Sequence, residues 1–578
     1  LKGLKAGRPE ALVAQLHLSD LSADPEGLFA DAVSIGQGAA DMKLTLDPFR
    51  LTLGQVTLTD RGRKITAKGE VAAAEDGWSV ALDVGVDTIE MERLLALWPL
   101  GAVPKTREWL QQNVATGELF DVRGALRLKP GAEPRFSLAY RFRGAEVRFM
   151  RLLPPINSGL GYATINDNAF VLVAESGHVV APKGGNLDIA GSVLKVPDIR
   201  QKPAPMEVTL KSDSTITAAL SILDEPPFEF LRKAGQAVDI AEGRAHLTTL
   251  LRLIPKAKMN PKDVTYDVTG TLTEVSSDRL VKGRKLSADA LAVKVTNKGI
   301  EISGDAALDG VPLSGAWRQA FGTAGAGRSS VAGQIELSLP TLEEFAITLP
   351  KGAVGGTGVG DFTLDLQKGQ PPTFRMTSDL RGLVLAIPEL GWKKAADSKG
   401  SLEIVGRFGA PAHVDSLILE AERLRAEGSI SLKEDNGLDL AEFGTVTFQD
   451  WFKGGVAIRG QGKGKPVAIA LTGGSVDLRQ ATFGSGEAGD GSASPILDVT
   501  LDRLRISDGI ALDGFKGRFA SDNGLNGSFT GNVNGRAPLT GETLPDTNGR
   551  AAFRLRAEDA GAVLAAARLY GRGRGGQM

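Results

Sequence analysis

The chain has 578 residues, enough for several domains or one long repetitive body. Its 67 Lys and Arg against 69 Asp and Glu give a net charge of −2, which argues against a nucleic-acid partner, since that would need a basic face. With no cysteine, disulfides and Cys-ligated zinc are excluded.

No apolar run approaches the roughly 18 residues of a membrane-spanning helix. The longest, Leu94 to Val103, holds ten residues and contains Pro99. Residue 1 is Leu, and the last segment stops where a further strand is expected, so the chain reads as a piece of a longer protein, and any anchor is expected outside it.

In chain order, the first predicted helices cover 88–97 and 104–114. Pro104 suits the first turn of the second helix, and Gly117 stops it. This helix is expected to act as a plug that packs Trp109 and Leu110 onto a sheet. Two alternating strands follow, over 120–129 and 135–142. Phe136, Leu138, Tyr140 and Phe142 share one face of the second; Ser137, Ala139, Arg141 and Arg143 share the other. Further helices are expected at 226–235, 341–346 and 559–570, with a weaker one around Trp451-Phe452. Between them alternation resumes: Phe362, Leu364 and Leu366 oppose Thr363, Asp365 and Gln367, and Leu497, Val499 and Leu501 repeat the pattern. Such one-sided alternation belongs to antiparallel strands with one dry face. Asp309-Gly310, Asn436-Gly437 and Asn523-Gly524 supply hairpin turns. The polar stretches 322–330 and 484–494 read as exposed hairpin loops.

The helix anchors Trp109, Phe230, Phe345, Trp451 and Leu564 are spaced by 121, 115, 106 and 113 residues. This suggests a degenerate repeat, each unit a short helix plus several strands, dividing the chain into 1–117, 118–236, 237–346, 347–453 and 454–578. The expected fold class is mainly β: a long twisted antiparallel sheet forming an elongated groove, with under about 15% helix against the globular third. At about 13 residues per strand and turn, the chain would hold roughly 45 strands and extend on the order of 200 Å.

Catalytic patterns are missing. His17, His178, His246 and His413 are scattered, without partners at metal-ligand spacing. Gly484-Ser485-Gly486 has no helix behind it, as a nucleophile elbow requires. The run Gly355 to Gly360 lacks the lysine and helix of a phosphate loop. Glu343-Glu344 suits a helix start. No cofactor or metal is implied.

The order Leu97-Trp98-Pro99, then Arg107, Trp109-Leu110, Asn113-Val114 and Gly117, then the strand Phe136 to Phe142 and the corner Leu152-Leu153-Pro154-Pro155-Ile156, resembles the AsmA-like superfamily of Gram-negative envelope proteins. Within it the chain is most similar to the YhdP group, relatives of TamB. That group often carries tryptophan before the corner proline; here it is Leu153. The segment Asp559 to Gly576 is similar to the helix before a strand in AsmA-like C-terminal modules. The resemblance implies a bridge-like lipid transfer protein without catalytic residues, shaped as a gutter. It would be periplasmic and anchored in the inner membrane by an N-terminal helix outside this chain. Phospholipid acyl chains would be its partners on the way to the outer membrane. Phe136, Leu138, Tyr140, Phe142, Phe362, Leu364 and Leu366 are the expected lining of the lipid groove. The competing readings are an adhesive β-solenoid such as an autotransporter passenger, and a polysaccharide-active enzyme. The first would show tighter repeats and the second a clustered acidic or aromatic cleft.

Overall fold

The computed structural model describes all residues except 1, 6–7, 24–26, 257–262, 346, 348, 351, 410, 436, 463–464, 482–495, 521–525 and 546–550. Asn436, Asn523-Gly524, residue 346 and the 484–494 stretch therefore lie outside the described residues. Strands take up 63% of the chain and helices 9%, as the period-2 pattern dictates. The chain forms two compact units, Leu1–Ile302 and Ser303–Met578.

The first unit is an up-and-down meander in which sequence neighbours pair in space. Strands Phe49–Asp60 and Arg63–Ala74 are joined by two residues, Arg61 and Gly62, both at positive φ (48° and 79°). That is the turn whose twist matches a hairpin. Asp309-Gly310 makes the same turn in the second unit, with φ of 49° and 87°. Such short links and strands of up to 18 residues leave 34 strands among the described residues, fewer than the 45 expected. The assumed 13 residues per strand and turn was too small.

In the first unit, the described α-helices all sit at one end of the strands. Met91–Ala96 and Pro104–Asn113 lie between the paired strands Gly77–Glu90 and Val114–Leu128. Ile216–Leu223 and Phe230–Ala234 lie between the paired strands Met206–Thr215 and Glu242–Leu253, at the same end. The buried residues gather there too: Ile89, Met91, Leu153, Val179, Ile216, Ala218, Ala245 and Val275. A latch holds the first helix down. Arg93 Nε and Nη2 donate to the buried Asp60 carboxylate at 2.6 and 3.0 Å. The opposite strand ends leave Leu46, Trp78, Phe136 and Ile254 exposed.

The second unit follows the same rule on its own. Leu339–Glu344, the hairpin of strands Leu383–Ile387 and Trp392–Lys394, and Ala560–Ala566 all lie at one end of its strands. Its core runs from Leu337 through Phe448, Trp451, Leu501, Phe515 and Phe529 to Val563 and Ala566. One strand pair among the described residues is parallel, Ala468–Asp477 with Ile496–Arg505. Parallel neighbours, unlike antiparallel ones, are not joined by a tight two-residue turn.

Trp451 is not in a helix. It closes the turn before strand Phe452–Arg459, buried edge-on against Phe448 at 5.3 Å. The 226–235 helix is shorter than expected, and Ile216–Leu223 precedes it.

Candidate functional site

Antiparallel register places directly opposed residues on one face of a sheet. Tracing those pairs from Leu16 gives Ala40, Val56, Ala67, Val84, Gly124, Leu138, Ile165 and Phe170, one residue per strand across nine strands of the first unit. The row beside it reads Ala14, Met42, Leu53, Gly69, Leu82, Leu126 and Phe136. No polar side chain interrupts either row. Large residues face small ones across strands: Tyr140 opposes Ala163, and Phe142 opposes Gly161. A Cβ on Gly161 would lie 2.0 Å from the Val173 carbonyl and 2.8 Å from the Phe142 ring. Gly161 is therefore what lets the Phe142 ring lie over the neighbouring strand.

This face is apolar but not enclosed. Leu138, Tyr140 and Phe142 are half-buried, and Phe136 is 42% exposed. The described helices sit at the strand ends and leave the middle of the face without a second layer. Burial still acts at Tyr140, where desolvation pushes the phenol pKa up to about 12.

The other face is an ion-pair surface. Arg127 meets Asp83 at 2.6 Å, Arg141 meets Glu175 at 2.8 Å, and Arg143 meets Glu118 at 2.6 Å. The hydrogen bond from Arg143, then that from Thr88, holds the Glu118 carboxyl below its usual range. An irregularity between Phe120 and Arg123 turns Phe120 onto this face. There the guanidiniums of Arg141 and Arg143 each lie 5.3 Å from its ring centre, a cation–π arrangement that makes an aromatic tolerable among charges.

In the second unit Phe362, Leu364 and Leu366 are half-buried while Asp361, Thr363, Asp365 and Gln367 are exposed. Their row is equally unbroken: Gly333, Phe362, Met376, Ile404, Leu417, Gly428, Phe443, Val456, Leu471, Val499, Gly517, Phe529, Gly541 and Leu555. Burial rises along it as far as Gly541 and falls at Leu555, which is 43% exposed. Residues up to Leu471 are half-buried, whereas Val499 and Phe529 are buried. There Phe515 stacks on Phe529 at 5.5 Å, and helix Ala560–Ala566 brings Val563 and Ala566 into the core.

Helix Pro104–Asn113 departs from expectation. Its less exposed positions are Arg107, Leu110 and Asn113, spaced by three as one helical face requires. Trp109 is 46% exposed. Adjacent positions on a helix point about 100° apart, so Leu110 and Trp109 cannot share one contact. Arg107 spends that face on Leu95, donating from Nη2 to its carbonyl at 3.2 Å.

Of the histidines, His246 lies on the ion-pair face, with Nδ1 2.5 Å from Asp213. Among the described residues no group of three or more His, Asp or Glu could hold a metal ion. No described helix is long and apolar enough to cross a membrane.

A family model described as YhdP protein matches residues 1–464 of the 578. The chain belongs to the YhdP family. The YhdP family is a lipid-transport family of the cell envelope rather than an enzyme family. Comparison with curated proteins and with solved structures gives no match. The family match ends before Ile496–Arg505, so the buried Val499, Phe515 and Phe529 lie beyond it.

Proposed function

We propose that the chain conducts phospholipids between the membranes of the envelope, their acyl chains lying along the apolar face and their headgroups at its margin. The observation that carries this is the uninterrupted apolar row in each unit, left half-buried over most of its length. A globular protein hides such a face beneath a second layer. Each buried CH₂ gains about 0.8 kcal/mol, so an acyl chain in water faces a barrier on the order of 10 kcal/mol. A continuous dry floor lowers that barrier without chemistry. In this reading the protein works in the periplasm, joined to the inner membrane by segments outside this chain and delivering towards the outer membrane. Phe136, Leu138, Tyr140, Phe142, Phe362, Leu364 and Leu366 line the floor.

A photocrosslinking amino acid placed at Leu138 or at Ala139 in cells tests the assignment. Adducts with phospholipid are expected from Leu138 and not from Ala139. Equal adducts from both, or adducts from Ala139 alone, would overturn it.

A further inference from the structure

The polar face of the last five strands carries two rows of different character. The first, Asp498, Arg518, Ser528, Glu542 and Arg554, alternates in sign. Its charges pair off, Arg518 with Asp498 at 3.5 Å and Arg554 with Glu542 at 3.8 Å. The second row is Thr500, Lys516, Thr530, Thr540 and Arg556. It holds two cations and three hydroxyls and no acid. Among the described residues neither Lys516 nor Arg556 has a carboxylate partner. All ten side chains line one surface concavity, whose four cations against two acids leave a charge of +2.

We propose that this second row is a binding site for a phosphate group. Lys516 and Arg556 are three strand spacings apart, about 14 Å between backbones. Their long side chains can converge from both sides over Thr530 and Thr540. Thr540 Oγ1 now donates to the Arg556 carbonyl at 3.3 Å, and a hydroxyl is free to rotate towards a better acceptor. A phosphate offers acceptor oxygens to every group in the row, and charge-assisted bonds from Lys and Arg are the strong ones. The paired first row flanks the site and keeps it from being a general basic patch. Two sources share this chemistry, inorganic phosphate and the headgroup of an anionic lipid at a membrane surface. The site does not depend on the transport reading. It uses the face opposite the buried Val499, Phe515 and Phe529, so either proposal can fail while the other stands.

The test uses the full chain at low salt. Calorimetric titration with inorganic phosphate is one arm. The other is co-sedimentation with phosphatidylcholine vesicles, with and without phosphatidylglycerol. Lys516→Gln/Arg556→Gln should weaken binding about tenfold or more, since it removes both charged donors. Lys516→Arg should keep it. Lys68→Gln/Lys211→Gln removes the same charge from exposed positions on the first unit's polar face and should change nothing. Matching melting curves establish that the variants fold. Binding of phosphate alone would assign a soluble ligand; binding only of phosphatidylglycerol vesicles would assign a lipid surface. The proposal is overturned if the wild type binds in neither arm, if the double variant binds as the wild type does, or if the control pair loses as much.

Discussion

At the scale of single residues, what decides a side chain's role here is which face of its strand it occupies. Tyr140 shows the consequence. Its phenol is held to about 12 by desolvation, against 10.0 when exposed. The folded protein therefore keeps this proton where the unfolded chain has lost it. The stability this represents is complete below pH 10 and disappears as pH rises towards 12. An ultraviolet titration of phenolate formation should show a late step that Tyr140→Phe removes. Burial raises the Tyr266 phenol as well, so the comparison is made in a Tyr266→Phe background. If the late step survives Tyr140→Phe there, the Tyr140 hydroxyl is not desolvated. Trp109 illustrates the opposite case. Sequence alone favoured a buried indole, whose loss would cost roughly 3–5 kcal/mol. At 46% exposure, Trp109→Ala should instead cost no more than about 1 kcal/mol. A urea melt showing a loss of 3 kcal/mol or more would contradict the observed placement.

At the scale of elements, strands were readable because a two-residue period survives any tertiary arrangement. Phe362, Leu364 and Leu366 alternate in burial with their neighbours as their sequence does. Helices were less readable, because short ones depend on capping more than on pattern. Ile216–Leu223 reads as a β-branched apolar run, ITAALSIL, yet Thr215 caps it, its hydroxyl accepting from the Ala218 N–H at 3.0 Å. That threonine was the available signal. Trp451 failed for the converse reason: an isolated aromatic carries no period, and it fills a turn. The parallel pairing of Ile496–Arg505 with Ala468–Asp477 left no local trace, since strand direction is set by pairing partners rather than by the strand's own residues. The terminal helix was legible, with Asp559 accepting from the Ala562 N–H at 2.8 Å. Its packing makes a further prediction. Val563 is buried against the last strands, so Val563→Asp would bury an unpaired carboxylate and should destabilise the second unit by roughly 3 kcal/mol or more. Proteolysis should then begin within 496–566. Unchanged resistance there would mean that the helix only rests on the sheet.

At the scale of the whole molecule, the question is whether an apolar face serves as core or as floor. The two make different demands on one residue. In a core, charge is intolerable because nothing solvates it. On an open floor, a guanidinium can turn to water and the protein still folds, but passing acyl chains meet it. Leu138 is half-buried and stands in an unbroken row between Gly124 and Ile165. Leu138→Arg should therefore fold, and should raise a barrier of about 2–4 kcal/mol by analogy with lipid-facing positions of membrane barrels. Ala139, one residue on, opposes Arg123 and Thr164 on the ion-pair face. Strand parity sends Ala139→Arg to solvent, and it should be nearly silent. The comparison is made in the full-length protein in cells, with equal expression confirmed and envelope integrity scored by sensitivity to detergent. Loss of function in Leu138→Arg alone, at normal abundance, is the expected result. If Leu138→Arg does not accumulate, or both variants behave alike, the face is a structural core and the transport assignment loses its support.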